Sequence, residues 1–455
     1  MRVPRYLANP RCLAAAFAVV LLAACSNQSG SASSQTDPQT GSSSKPAVKT
    51  TFGDLSNVCG PGSAKIANGQ NGGSTLKLGT PSDHGSEAAP GTNEELLDAA
   101  VAFGKWCNAL GGIKGLKIET VDLDGKLFQV PPAMEKACSQ VFAMVGGQWV
   151  FDEQEYPRFN QCKMVNFPSG AVSDAARSDP NTVQAVPSSP SQASYGWLKW
   201  AADAHPDDVK STAMLYADIP TTVKTRDNIL QQMAYVGIKN VKTISYSANG
   251  EANWAPFAQR MKDGGIKTMT FVGSPGNYAL LAKAMTDVGY KPNVVLNAPL
   301  FYTDLLLQPG NVKNSEGMYA NMIFAPFEEA SANKALQDYI DMMQTYNPKG
   351  LKAQAGMQGM SAFLLFAKAA NACIDSNGGV LERQCVVTAA KKITSWTGGG
   401  LHAETNPSGN SPSKCVVIVQ VKGGKWTRTF PQLGSPDDSG RGFHCYTPGL
   451  VATPH

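Results

Sequence analysis

The chain has 455 residues, 42% hydrophobic and 16% charged, with 44 Gly and 29 Pro; at roughly 100–200 residues per domain this suits two or three domains rather than one core. The formal net charge is +4, and loss of Arg2, Arg5 and Arg11 with a leader would leave 36 basic residues against 35 acidic. That balance argues against nucleic acid as the main partner, which asks for a basic face, and no run approaches the ~20 apolar residues of a membrane span.

The first residues read as a secretory signal over 1–24. Arg2, Arg5 and Arg11 supply the charged region, Cys12 to Ala24 the apolar run, and Ala23-Ala24 the small residues at its end. Leu22-Ala23-Ala24-Cys25 resembles a bacterial lipobox. In such signals the chain is cut before the Cys, which then carries lipid and holds the protein on a membrane surface. Lipidation of Cys25 is the expectation; ordinary cleavage after Ala24 would leave it a spare thiol. Residues 25–50, rich in Ser, Gln, Thr, Gly and Pro, have no apolar periodicity and read as a flexible tether.

Beyond Cys12 and Cys25 stand eight cysteines, Cys59, Cys107, Cys138, Cys162, Cys373, Cys385, Cys415 and Cys445. An even set in an exported chain implies disulfides. Roughly a hundred pairings are possible and sequence does not choose among them; sequential pairing is the expectation. No CxxC occurs, and His84, His205, His402, His444 and His455 are scattered without ligand spacing, so neither metal nor cofactor is expected.

From Leu76 onward strands and helices alternate. Leu76–Gly79 reads as a strand. Glu94–Leu110 reads as a helix with Leu97, Val101 and Ala102 on one face, Asn93 as its N-cap and Gly111-Gly112 as its stop. A strand over Lys117–Asp122, a helix over Pro132–Phe142, the short run Ala143–Val145 and a strand over Lys163–Asn166 follow. The cycle restarts with helices at Tyr195–Ala204, Thr222–Val236, Trp254–Asp263 and Tyr278–Val288. Between and after them come strands at Thr212–Tyr216, Val241–Tyr246, Thr268–Val272 and Val294–Leu296. Two such runs mean two parallel sheets, each covered by helices. Helices at Asn333–Tyr346, Gln358–Cys373 and Leu381–Ile393 come next, then a strand at Cys415–Val421 and a Gly423-Gly424 hairpin into Trp426–Phe430.

Leu76-Lys77-Leu78-Gly79-Thr80, Asn108-Ala109-Leu110-Gly111-Gly112-Ile113-Lys114-Gly115, Asp122 and Asp124 after the next strand, Val272-Gly273-Ser274, Val288-Gly289-Tyr290 and Glu316-Gly317-Met318-Tyr319 stand in order along the chain. In this they resemble type I periplasmic binding proteins of the leucine/isoleucine/valine- and amide-binding branch, over about 74–430. The resemblance implies an α/β fold of two lobes, each a parallel sheet flanked by helices, with three interlobe crossovers. The expected division is 51–188 plus 317–412 for lobe I and 189–316 plus 413–455 for lobe II. It further implies a small-molecule solute held between the lobes and delivered to the membrane permease and ATPase of an importer, by a monomer at the cell membrane. The same two-lobed fold would also serve an envelope sensor or scaffold.

Ligands of parallel sheets sit at the carboxyl ends of strands. The candidates are therefore Ser82, Asp83, His84, Gln148, Trp149, Ser169 and Gly170 in the first lobe. In the second they are Tyr195, Asp218, Ser274, Asn297, Phe301 and Tyr302. Trp149 suits core packing as well as ligand stacking, His84 suits a solvated loop, and Asp218 suits a cap for the helix from Thr222. Amino-acid binders of the resembled family present a hydroxyl-rich loop after the third strand and a late acid in the second lobe. Here the loops read Gly146-Gly147-Gln148-Trp149 and Asn297-Ala298-Pro299-Leu300-Phe301-Tyr302. A buried ammonium without a carboxylate is costly, so a neutral or aromatic-compatible solute is expected over an amino acid. No Gly-x-Ser-x-Gly, P-loop or His-Glu-x-x-His occurs, and no enzyme activity is expected.

Overall fold

The computed structural model describes residues 50–87 and 91–453. The expected signal segment, Cys25 and the tether up to residue 49 lie outside the described residues.

Four strands form the first sheet, all parallel. Their spatial order is Lys117–Asp124, Thr75–Ser82, Ala143–Val145, Asn166–Phe167. The register runs from Thr75 opposite Lys117 to Ser82 opposite Asp124. Side chains of a strand alternate between faces, and two separate cores result. Leu76, Leu78, Ala143 and Val145 join a cluster with the helices Glu94–Leu110 and Gln354–Ser376. Leu123 and Met144 join another with the helix Val130–Gln140 and Phe159.

The second sheet is built the same way. Its order is Lys425–Phe430, Cys415–Lys422, Tyr319–Met322, Val294–Asn297, Thr268–Val272, Thr212–Ala217, Lys242–Tyr246, with the short strand His444–Cys445 beside Cys415–Lys422. The strands from Lys242 to Met322 are parallel, and the last hairpin is antiparallel. Ala213, Leu215, Phe271 and Val417 face one core, and Met214, Val272, Leu296 and Ile418 the other.

The helix at Glu94–Leu110 has the expected bounds, and Gly111 ends it in the left-handed conformation that glycine adopts without strain. Asn93 is not its side-chain cap. Its φ is 62° and its amide donates instead to the Gln148 carbonyl at 3.2 Å. The helix expected from Gln358 starts at Gln354 and runs to Ser376. Gly356 and Gly359 lower local propensity, but Met357, Met360, Phe363 and Phe366 are fully buried and tertiary packing decides. The strand expected from Lys163 begins at Asn166, because Lys163 closes the Tyr156–Gln161 helix with φ 51°. Helical turns over Asp152–Glu155 and Tyr156–Gln161, a polar run, carry no periodic signal in sequence. The strand Tyr319–Met322 lies in the second sheet, past the expected border at 317, and the chain reaches the first core only at Phe324.

Three crossovers join the lobes and brace one another. Thr405 Oγ1 donates to the Ala185 carbonyl at 2.8 Å and Gln184 Nε2 to Asn410 Oδ1 at 2.9 Å, tying the first to the third. Ala403 N–H donates to the Ile323 carbonyl at 2.7 Å, tying the third to the second. His402 is fully buried there. Its Nδ1–H donates to the Ala403 carbonyl, Ser361 Oγ–H donates to Nε2 at 2.8 Å, and Trp396 Nε1–H donates to Ser361 Oγ. Burial pushes the His402 imidazole down to about 4, so it is neutral and fits this one-donor, one-acceptor chain.

The cysteines pair in sequence: Cys59–Cys107, Cys138–Cys162, Cys373–Cys385 and Cys415–Cys445.

Candidate functional site

In each sheet the strand order reverses once. In the first the reversal falls between Thr75–Ser82 and Ala143–Val145, in the second between Thr212–Ala217 and Thr268–Val272. A crevice opens outside the carboxyl ends at such a point, and ligands of open α/β sheets bind there. The loops that form it begin at Asp83 and Gly146 in the first lobe and at Asp218 and Gly273 in the second. The strand-end faces of the two lobes meet at one edge. Asp174, after the last strand of the first sheet, pairs with Lys224, on the helix that follows the first strand of the second, at 3.3 Å.

Gly146 and Gly147 bring the first-lobe loop down onto its neighbours. Gly146 has φ 75°, and a Cβ there would collide with Phe363; one on Gly147 would collide with the Pro81 carbonyl. Beyond them Gln148 N–H donates to the Pro81 carbonyl at 3.0 Å, and Ser169 Oγ donates to Gln148 Oε1 at 3.2 Å. A Cβ on Gly170 would collide with the same amide oxygen. Gln148, Ser169 and Gly170 are thus brought together. Trp149 is not part of an open surface: it is 1% exposed, its Nε1–H donates to the Leu123 carbonyl at 2.8 Å, and it fills the core under the loop.

Asp83 is fully buried and its two carboxylate oxygens are spent on the backbone. Oδ1 accepts from Leu127 N–H and Oδ2 from Val150 N–H, each at 2.8 Å. Burial raises its pKa, against which the two N–H donors act. Ser82 reaches Asp122 at 3.4 Å. His84 stands at the rim with Nε2 at 2.9 Å from Asp122 Oδ2. Burial lowers its pKa, but the bond to Asp122 and the charges of Asp122 and Asp124 outweigh that and raise it overall. Asp124 accepts from Lys126 N–H at 3.0 Å and Gly85 N–H at 3.3 Å.

In the second lobe Asp218 is exposed and caps no helix; the helix starts at Pro220, and Asp218 Oδ1 accepts from Ala248 N–H at 2.9 Å. Ser274 caps the helix Pro275–Asp287 by accepting from Asn277 N–H. Asn297 is fully buried between strands, accepting from Phe271 N–H at 2.9 Å. Phe301 sits in the core against Phe271 and Tyr278. Tyr195 packs against Tyr235 and Tyr446 and accepts from Gly449 N–H, so its side chain serves the C-terminal segment.

Tyr302 lies elsewhere, in a pocket of about 210 Å³ lined by both lobes. Tyr302, Asp304 and Trp426 come from the second lobe, Phe327 and Glu328 from the second crossover, and Ile340 and Lys352 from the first lobe. Tyr302 Oη–H donates to Glu328 Oε2 at 2.7 Å and accepts from Phe327 N–H at 2.6 Å. Burial raises the Glu328 pKa, and the Tyr302 bond opposes it. Aromatic walls and a few converging polar groups are usual attributes of a small-molecule site.

Sequence reasoning missed Phe327, Glu328 and Trp426; nothing local marks Trp426, which reaches the pocket from a hairpin. Among the described residues no cluster of three His, Cys, Asp or Glu could hold a metal ion, and no helix is long and apolar enough to cross a membrane.

Residues 75–425 match a family model described as periplasmic binding protein. No curated protein matches in sequence. Among solved structures, a fatty acid ABC transporter substrate-binding protein from Thermomonospora curvata superposes with a TM-score of 0.66 at 17% identity, over 82% of this chain and 93% of its own. The leucine binding protein LivK from Thermotoga maritima gives 0.63 at 14%, over 78% and 98%. An ABC transporter substrate-binding protein from Desulfitobacterium hafniense in complex with Leu gives 0.58 at 12%, over 78% and 100%. At these identities the likeness is one of fold.

Proposed function

The chain belongs to the type I periplasmic binding protein family, and from that premise we propose that it is the solute-binding lipoprotein of an ABC-type importer. It would capture a small neutral solute between its lobes by hinge closure and present it to a membrane permease and its ATPase. The observation that carries this reading is the pairing of two switch-point crevices in lobes joined by three mutually braced crossovers. Lobe I comprises 51–188 with the return segment up to 412, and lobe II the segment from 189 through the Tyr319–Met322 strand with 413–455. A lipid on Cys25 and the tether behind it would keep this monomeric body at the membrane, outside the cytoplasm. The solute contacts in this reading are Ser82, His84, Gln148, Ser169 and Gly170 in lobe I, and Asp218 and Ser274 in lobe II. Two of the structural neighbours are named for fatty acid and leucine, which favours a solute with an apolar body.

Mass spectrometry of small molecules retained by the purified mature chain tests the reading directly. One solute bound per chain, released on unfolding, is expected; a chain that retains none and responds to none in a thermal-shift panel of metabolites counts against it. A permease and ATPase encoded alongside would favour the importer over an envelope sensor. Cys25→Ser should free the protein from membranes with its fold intact, and membrane retention of that variant would refute the lipid anchor.

A further inference from the structure

We infer that Phe128 and Phe151 form a ring platform at the strand-end face of the first lobe that selects a flat aromatic solute; this rests on the solute binding at that face, as proposed above. Phe128 is 68% exposed, more than any other large hydrophobic side chain described, with Leu300 next at 54%. It follows the strand Lys117–Asp124, and Phe151 belongs to the loop after Ala143–Val145, so both stand at the carboxyl end of the first sheet, Phe151 on a loop at the switch point and Phe128 one strand away from it. Their rings are stacked, with centroids 5.4 Å apart and planes 23° from parallel. One face of Phe128 therefore lies on Phe151, and its exposure leaves the other bare.

The arrangement is held in place. Asp83 receives Leu127 N–H on one oxygen and Val150 N–H on the other, and these are the residues immediately before Phe128 and Phe151. A single buried carboxylate thus fixes the backbone entering both rings. Lys126 and Leu127 are held at φ 46° and 66°, an unfavourable conformation for side-chain-bearing residues that persists where surroundings enforce it. The bare ring offers offset stacking to a third aromatic plane. In the other lobe Leu300 is left bare on the loop after Val294–Asn297, at the same end of its sheet. It gives closure a second apolar surface to bury.

Calorimetry on the full mature chain with phenylacetamide and cyclohexylacetamide tests this. Phenylacetamide should bind more tightly than its saturated twin of similar size. Phe128→Ala should weaken phenylacetamide by about tenfold without lowering the melting temperature, since the side chain is exposed. Phe128→Leu should retain apolar contact but lose the preference for the flat ring. Equal binding of the two amides, no binding of phenylacetamide, or unchanged affinity in Phe128→Ala would each overturn the inference. The solute-binding reading fails separately, when no small molecule of any class is retained or bound.

Discussion

Asp174 and Lys224 meet at 3.3 Å, and their contact joins the strand-end faces of the two lobes. Both side chains are substantially exposed, at 51% and 37%. Exposed pairs of this kind contribute about 0.2–1 kcal/mol and are screened by salt. A double-mutant cycle on Asp174→Asn and Lys224→Gln should give a coupling in that range at low salt that fades at high salt. A coupling of several kcal/mol would mean the pair holds the lobes together, rather than marking where they touch.

Asp83 is a framework residue. Asp83→Ala strands the buried N–H groups of Leu127 and Val150, and bonds to a charged acceptor are worth about 1.5–3 kcal/mol each. Chemical denaturation should show a loss of about 2–4 kcal/mol. Unchanged stability together with lost solute binding would return Asp83 to the direct contact role expected from sequence.

The alternation of strands and helices was legible because each strand alternates between two cores and each helix has one apolar face; Thr268–Val272 and Glu94–Leu110 have the expected bounds. The roles of side chains on the strand-end loops were not legible, because distant backbone decides them. Asp83 is claimed by Leu127 and Val150, 44 and 67 residues away, and Trp149 by Leu123. Tyr302 was named in sequence, but its partners Phe327 and Glu328 come from the next crossover and Trp426 from the final hairpin. No local pattern records such convergence.

His402 ties stability to pH. Its folded pKa of about 4 lies below the ordinary 6.5. The unfolded chain therefore takes up more protons between these values, and this contribution is complete above 6.5 and is lost as pH falls toward 4. At ~1.4 kcal/mol per pKa unit the loss is about 3 kcal/mol. Stability of the wild type and of His402→Gln, measured from pH 4 to 7, should differ most at pH 7 and converge below 5. A difference independent of pH would mean that protonation of His402 is not what the crossover resists.

The four bridges leave none of the eight body cysteines free. Thiol titration of unfolded, unreduced mature protein should find no reactive body thiol, and two or more would sink the pairing. Cys373–Cys385 closes the end of the long helix Gln354–Ser376 onto the next helix. Replacing both by Ser should cost about 2–4 kcal/mol, read as a lowered denaturation midpoint.

The last expectation concerns amino acids. A zwitterion sealed between lobes needs a carboxylate for its ammonium, since an unpaired buried charge is costly. Four acids at the strand ends already have partners. Asp83 holds Leu127 and Val150, Asp122 holds His84, Asp124 holds Gly85 and Lys126, and Asp218 holds Ala248. Free leucine, valine and glutamate should therefore bind weakly or not at all in calorimetry. Micromolar affinity, about 8 kcal/mol, for an α-amino acid would refute this. Two variants would then locate the clamp. If Asp218→Asn abolished binding, the exposed acid of the second lobe would have exchanged Ala248 for the ammonium. If Glu328→Gln did so, the ammonium would lie in the pocket between the lobes, against Tyr302 and Phe327. Trp149→Ala offers no such discrimination, because its ring fills the core and its loss would lower stability first.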